Sequence, residues 1–359
     1  MKKAILIACV VTGLSSVALA LDTVPVGNPG NAGIQSRLAD YGDATYYGGV
    51  AYPYNIGKYE VTAGQYRDFL NAVAATDAYG LYNSNMDSED YGCQITQNNA
   101  SGNYTYDFSG RPSGTTEANW ANRPVNYVSW YDAAMYANWA TSGNMNQGAY
   151  DTSAGANWGS STASDYTGIT AHDSAAMDAL VSTYGTVYVI PTEDEWYKAA
   201  YYNGGTSSYY SYPTSSDTAP SYVNDSGNLS GTGDPFTEGG TDPGNYATYD
   251  GDAWINGIGS PYYRTIVGEW EESDSPYGTF DQGGNVWEWT EAIILSNRGA
   301  RGGSFFNSDG SLHASYRHSP NPTNEVITTG FRVVSVPEPA TLSLLALGGV
   351  AILRRRRKQ

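Results

Sequence analysis

Alternating apolar and polar residues mark the first regular element of the chain. The segment from Tyr54 to Val61 alternates in the way expected of a half-buried strand. Thr62 follows, with Gln65 three residues later, which is the spacing of a helix capping box. The next apolar side chains fall on one helical face, so a helix is predicted after Thr62; they are Tyr66, Phe69, Leu70 and Val73.

Further helices and strands are predicted in the same way. Ser129 caps a second helix, and Thr192 with Glu195 forms a capping box for a third helix that continues through Tyr202. The buried positions of the second helix are Trp130, Ala133, Ala134, Ala137 and Trp139. Later strands are predicted at Val187 to Ile190, Val286 to Trp289, Ala300 to Phe305 and Phe331 to Val336. Strands and short helices mixed in one loop-rich domain indicate an α+β fold.

Three long segments have the composition of loops rather than of regular elements. They cover Asp77 to Asn119, Thr141 to His172 and Gly204 to Gly259, and are rich in Tyr, Ser, Gly and Asn. The chain contains 32 tyrosines, and fully disordered segments are poor in aromatic residues. These segments are therefore expected to be packed or adhesive loops.

The N-terminal residues predict export. Lys2 and Lys3 precede an apolar stretch from Ala4 to Val17, and Ala18-Leu19-Ala20 has the small-residue pattern of a cleavage site. Residues 1–20 are thus predicted to be a signal peptide that is removed after Ala20, and residues 21–43 a linker. The stretch is too short for a permanent membrane span, which needs about 20 residues.

The C-terminal residues 336–359 resemble the PEP-CTERM sorting signal. Val336-Pro337-Glu338-Pro339 precedes an apolar run from Ala340 to Leu353, and five basic residues follow almost at the end of the chain. The run can enter a bilayer while the basic residues stay on the cytoplasmic side, but it is short for a stable transmembrane helix. The resemblance implies that an exosortase-type enzyme recognises and removes this tail, leaving the protein at the cell surface or in the extracellular matrix.

Charge and cysteine content exclude some functions of the segment between these ends. The chain has a net charge of −18, and seven of its 18 basic residues lie in the two terminal signals. Nucleic acid is not an expected partner, because phosphate binding needs clustered Lys and Arg. Cys9 leaves with the signal peptide, so Cys93 alone remains and no intramolecular disulfide can form.

Six sequence blocks, in order, resemble the formylglycine-generating enzyme family, also called the sulfatase-modifying factor family. The blocks are Ile56 to Thr62, Arg123 to Ala133, Pro191 to Trp196, Gly283 to Trp289, Arg301 to Ser304 and Gly330 to Arg332. The resemblance implies a single domain, here residues 44–335, with a loop-rich fold related to that of C-type lectins. Within these blocks, the tryptophans are expected in the core, the glycines at unusual backbone angles, and Arg301 and Arg332 as buried ties between loops.

The resemblance places the family's two catalytic cysteines at Asn307 and Leu312. In that family, paired thiolates bind copper(I), a soft ion for which an amide or an aliphatic group is no substitute. The family's activity and its copper are therefore not expected here, and no catalytic residue is assigned. A second branch uses histidine-bound iron on an added domain, which is not expected in this chain. The three histidines of the chain are His172, His313 and His318. His313 and His318 are five positions apart, which suits neither one helix face nor one strand face, so a chance pair is favoured over a metal site.

The resemblance also implies a structural calcium ion in the segment Asp281 to Glu288. Asp281 and Glu288 would bind it through side chains, and Gly284 and Val286 through backbone carbonyls, since calcium prefers oxygen ligands. An acidic turn before a strand is the alternative interpretation. The family's other calcium site would fall near Thr248 and Gly259, where the required residue types are missing.

Three functions remain open from the sequence. The favoured one is a non-catalytic binding module outside the cell, with a glycan or an extracellular protein as ligand. The second is an oxidoreductase of the same family with altered metal ligands, and the third is a purely structural matrix protein.

Overall fold

Short strands and helices make up the domain, as the α+β prediction requires. The computed structural model of the protein describes residues 21–35, 46–88, 91–152, 174–222, 244–250 and 258–336. Its strands are β1 Thr23–Val26, β2 Ile34–Gln35, β3 Tyr46–Tyr47, β4 Tyr54–Gly57, β5 Thr96–Asn98, β6 Thr105–Asp107, β7 Val187–Val189, β8 Tyr202–Asn203, β9 Ser208–Tyr209, β10 Trp287–Ile294, β11 Asn297–Arg301, β12 Thr329–Gly330 and β13 Val334–Val336. Its helices are α1 Ala63–Val73, α2 Glu117–Ala121, α3 Trp130–Ser142, α4 Ser174–Tyr184, α5 Glu193–Tyr201 and α6 Asp309–Leu312, with a 3₁₀ helix at Ser84–Asp87.

Two small sheets organise the core. The first has the strand order β1-β4-β13-β7 and is antiparallel throughout, with Val334 of β13 opposite Ile56 of β4 and Val189 of β7. The second has the order β11-β10-β12, and β12 runs parallel to β10. The first sheet joins the start and the end of the described domain, because β1 and β13 lie on either side of β4.

Indole groups connect helix α3 to the second sheet. Trp130 Nε1 donates to the carbonyl oxygen of Thr290 at 3.0 Å, and Trp289 Nε1 donates to that of Val128 at 3.0 Å. Both tryptophans are fully buried, as is Trp196, while Trp287 is 5% exposed. The prediction that these four tryptophans fill the core is confirmed.

The helix starts predicted from capping boxes are confirmed. Thr62 with Gln65 caps α1, Ser129 with Asp132 caps α3, and Thr192 with Glu195 caps α5. Helix α5 ends at Tyr201, one residue earlier than predicted, because Tyr202 has extended backbone angles and begins β8.

Several predicted strand boundaries are wrong. Strand β4 ends at Gly57 rather than at Val61, and β13 begins at Val334 rather than at Phe331. Strand β11 ends at Arg301, because Gly302 and Gly303 have φ angles of 101° and 77°, outside the range of a strand. The predicted loop from Asp77 to Asn119 contains the β5–β6 hairpin.

The tyrosines of the described residues are mostly built into the fold. Within these ranges, Tyr46 and Tyr316 are the only tyrosines with high exposure, at 61% and 41%. Of the two alternatives predicted for the tyrosine-rich loops, packed or adhesive, the described residues favour packing.

Both predicted terminal signals lie outside the described residues, except for Val336, the first residue of the sorting motif, which ends β13. This applies to Ala18 and Ala20 at the cleavage site, and to Pro337, Glu338 and Pro339 of the sorting motif. Among the described residues, no helix is both long enough and apolar enough to cross a membrane.

Candidate functional site

The side chain of Glu288 lies at the centre of the domain, near the start of β10. It is fully buried, and Arg332 donates to both of its oxygens, from Nε to Oε2 at 2.5 Å and from Nη2 to Oε1 at 2.6 Å. Trp196 Nε1 also donates to Oε2, at 2.7 Å. Both oxygens of the carboxylate therefore accept hydrogen bonds, from the forked guanidinium of Arg332 and from the indole of Trp196.

Arg332 uses its remaining donors to tie separate loops together. Its Nη1 donates to the carbonyl oxygen of Gly57 at 2.9 Å, and its Nη2 donates to that of Phe280 at 2.8 Å. Arg301 is equally buried; its Nε donates to Glu193 Oε1 at 2.7 Å and its Nη1 to the carbonyl oxygen of Tyr316 at 2.6 Å. The predicted structural role of both arginines is confirmed.

The loop before β10 is shaped by close backbone contacts. Gly284 has φ of 88°, and a Cβ atom there would lie 2.2 Å from the carbonyl oxygen of Thr248, so only glycine fits without displacement. Asp281 Oδ2 accepts a hydrogen bond from Gly268 N at 2.6 Å, and burial raises the pKa of Asp281 to about 6.

Glu60 lies three residues after the end of β4, and its side chain connects this loop to that part of the chain. This role of Glu60 was not predicted from the sequence. Its carboxylate accepts hydrogen bonds from Asn285 Nδ2 at 3.0 Å and from Val286 N at 3.2 Å. Burial, together with the nearby carboxylates of Asp281 and Glu288, raises the pKa of Glu60 well above its usual range. The sequence pattern could have indicated that Glu60 is buried, since Glu60 has the same alternating phase as buried Tyr54 and Ile56.

The contacts of Glu288 do not fit the role that the resemblance gives it in a calcium site. Glu288 has both oxygens bound to Arg332, and a divalent cation at the same carboxylate would lie beside a buried guanidinium. Across the described ranges, no three His, Cys, Asp or Glu side chains are grouped closely enough to hold a metal ion. Calcium at Asp281, Gly284, Val286 and Glu288 stays a prediction, and the geometry argues against Glu288 as a ligand.

The loop after β11 contains the first position that corresponds to a family cysteine. Ser304 Oγ donates to Asn307 Oδ1 at 2.6 Å, and Asn307 N donates to the carbonyl oxygen of Ser304 at 2.9 Å. Asp250 N in turn donates to the carbonyl oxygen of Asn307 at 2.9 Å. Asn307 therefore closes a turn and anchors a neighbouring segment.

The second position, Leu312, is a packing residue. Its side chain is fully buried, in a cluster with Tyr212, Ala247 and Tyr249. A Cβ atom on Gly303 would lie 2.7 Å from Leu312 Cδ1, so the leucine also fills the space above the glycine turn. The position is occupied by an aliphatic group that has neither metal affinity nor redox chemistry.

Cys93 does not replace the missing thiols. Its side chain is completely buried, and burial raises the pKa of its thiol. A protonated, inaccessible thiol is a poor metal ligand and a poor nucleophile.

Aromatic rings surround the loop that carries Asn307. Phe305 and Phe306 have ring centroids 4.6 Å apart, and Tyr91 lies 5.3 Å from Phe306 and 4.6 Å from Tyr263. Tyr91, Tyr263 and Phe306 are half-buried, so this cluster reaches the surface.

The described histidines belong to different packing environments. His313 Nδ1 lies 2.8 Å from Ser315 Oγ, and its ring contacts Tyr212. His318 packs against Trp287 with centroids 5.2 Å apart, and burial lowers its pKa. The absence of a metal pair at these two residues stays a prediction, and His172 lies outside the described residues.

A groove of about 600 Å³ lies between the N-terminal residues of the described domain and helix α1, and Gly57 and Glu60 are among the residues that line it. Its lining combines polar and apolar groups, among them Tyr59, Gln65, Asp68, Asn122 and Ile266.

An irregular α+β domain with two small sheets, arginine-tied loops and a glycine turn after β11 has the fold of the formylglycine-generating class. The chain belongs to the family described as the sulfatase-modifying factor enzyme 1-like domain, whose sequence model matches residues 48–336. The PEP-CTERM protein-sorting motif matches residues 335–358, which indicates export and processing by exosortase-type machinery. No curated protein matches the chain.

Solved structures resemble the chain at low sequence identity. CarF is 21% identical, with 88% of this chain and 97% of CarF covered and a TM-score of 0.42. Treponema denticola variable protein 1 is 18% identical, with 88% and 95% covered and a TM-score of 0.43. PvdO from Pseudomonas aeruginosa is 16% identical, with 88% and 91% covered and a TM-score of 0.41.

Proposed function

We propose that the mature protein is a non-catalytic binding or structural module at the cell surface or in the extracellular matrix. The observation that carries this proposal is the pair of residues at the family's cysteine positions. Asn307 is committed to a turn and Leu312 to the core. Neither supplies the thiolate that holds copper(I), and buried Cys93 offers no second one.

The location follows from the two terminal signals. Removal of residues 1–20 after Ala20 would release the N-terminal end, and processing at Pro337-Glu338-Pro339 would release the protein from its sorting tail. The scaffold, proposed to be related to C-type lectins, would then present its ligand-binding surface outside the cell.

A glycan or an extracellular protein is the proposed ligand class. The groove beside α1 combines an aromatic ring, an amide and carboxylates, which are the groups that contact sugar hydroxyls and ring faces. The aromatic cluster around Phe306 is a second surface of suitable composition.

Metal analysis of the purified mature domain tests the proposal. The proposal predicts that the purified domain contains neither copper nor iron in a stoichiometric amount. Either metal, bound at one equivalent and required for oxidation of a thiol substrate, would favour the oxidoreductase alternative with altered ligands. Calcium at one equivalent would support the predicted structural site. It would also contradict the argument that Glu288, which accepts hydrogen bonds from Arg332 and Trp196, is not a ligand.

A further inference from the structure

The sorting motif begins at Val336, the last residue of the central strand β13. Ser335 of β13 pairs with Asn55 of β4 on one side and Tyr188 of β7 on the other, and Val336 pairs with Val187. Three residues, Pro337 to Pro339, then separate this strand from the apolar run that starts at Ala340. An extended residue spans about 3.6 Å at most, so Ala340 begins within about 14 Å of the sheet.

The antiparallel register identifies the surface at this end of the sheet. Strand β1 ends there, with Val26 opposite Tyr54, and β4 and β7 both begin there. The turns at this end are residues 27–30, 51–53 and 184–186, which we name the sheet rim. Asn28, Pro29, Ala51, Pro53 and Thr186 are exposed on it.

The sheet rim is uncharged in a strongly acidic protein. Residues 24–35, 46–57 and 179–190 contain no Asp, Glu, Lys or Arg, although the whole chain has a net charge of −18. Anionic lipids repel acidic surfaces that come within a Debye length. The sheet rim itself avoids this repulsion, since the charged side chains that contact it, Lys198 at Asn28 and Glu195 at Tyr52, are buried. Glu338 is then the acidic residue of the short tether.

We propose that the sheet rim is the surface with which the precursor faces the bilayer while its apolar run lies in the membrane. The short tether fixes the orientation, and the lack of charge permits close approach. The remaining, acidic surface then points away from the membrane. This inference depends on the sorting tail and is independent of whether the domain is catalytic.

Site-specific fluorescence quenching tests this orientation. The full-length precursor, with Cys9→Ser, would be reconstituted in vesicles of phosphatidylcholine and phosphatidylglycerol that contain brominated lipid. One variant carries a fluorophore at Thr186→Cys on the sheet rim, and the matched control carries it at exposed Ser101→Cys between β5 and β6. Buried Cys93 should not be labelled.

The proposal predicts that the label at position 186 loses most of its emission and that the label at position 101 does not. A flexible Gly/Ser linker of about twelve residues, inserted between Val336 and Pro337, should largely remove this difference. Equal quenching at the two positions, or stronger quenching at position 101, would overturn the proposal. Full quenching at position 186 despite the linker would overturn the role of the short tether.

Discussion

At the residue scale, the ion pair of Glu288 and Arg332 organises the centre of the molecule. The two residues are 44 positions apart, and both side chains have no exposed surface. The pair connects β10 to the backbone at Gly57 and Phe280. A buried pair contributes little net stability, but removal of one partner leaves an uncompensated charge in the core.

Glu288→Gln should therefore be strongly destabilising. The amide keeps the shape of the side chain but offers Arg332 one acceptor and no negative charge. The expected loss is about 3–5 kcal/mol in the free energy of unfolding, measured by urea denaturation. Glu271→Gln on the exposed surface is the matched control, with an expected change of about 0.5 kcal/mol or less. Equal stability of the two variants would contradict the assigned role.

Glu291 should make the stability of the folded protein depend on pH. Burial raises its pKa from 4.5 to about 8, and Tyr150 donates to its Oε1 at 2.6 Å. The folded protein thus retains a proton that the unfolded chain releases. The resulting stabilisation is complete below the unfolded pKa and is lost as the pH rises through the folded value.

Glu291→Gln should flatten the decline in stability between about pH 5 and pH 9, because a neutral amide has no proton to lose. Denaturant midpoints across this range measure the effect. Glu271→Gln should keep the slope of the unmodified protein. An unchanged slope in Glu291→Gln would show that Glu291 is not the titrating group.

At the element scale, local signals were sufficient for helices α1, α3 and α5, whereas α2, α4 and α6 were not predicted and most strand boundaries were wrong. A capping box needs only residues three positions apart, and the boxes at Thr62 and Thr192 were identified from sequence for this reason. The end of β4 depends on Arg332, which binds the carbonyl of Gly57 from far along the chain. The contact between Glu60 and Asn285 could not be predicted for the same reason, because the two residues are far apart in the sequence.

Thr62→Ala tests the contribution of one cap. Thr62 Oγ1 accepts a hydrogen bond from Gln65 N at 3.2 Å, and the substitution leaves that donor without its partner. We expect a loss of about 1 kcal/mol in the free energy of unfolding. Thr62→Ser retains the hydroxyl and should remain close to the unmodified protein. A similar loss in both variants would indicate that the methyl group matters rather than the cap.

At the scale of the whole molecule, the last described strand is internal to the first sheet. Strand β13 lies between β4 and β7, so the fold is incomplete until residues 334–336 are in place. The position of this strand could be read only roughly from the sequence, because the segment Phe331 to Val336 is continuously apolar except at Arg332 and Ser335.

Two truncations should distinguish the contribution of the sorting tail to folding from that of strand β13. Deletion of residues 337–359 should leave cooperative thermal unfolding intact, whereas deletion of residues 334–359 should abolish it. The second deletion removes the ladder partners of both β4 and β7. Cooperative unfolding of the shorter variant at an unchanged temperature would contradict this topology.

The proposed function requires that the domain keeps the fold of its family without the family's copper-dependent oxidation of thiols. The direct measurement is mass spectrometry of a cysteine-containing sulfatase-type peptide after aerobic incubation with the purified mature domain, with and without added copper. Because Asn307 and Leu312 provide no thiolate, we expect the peptide to keep its thiol under both conditions. Copper-dependent conversion of the thiol to an aldehyde by the unmodified domain would contradict it.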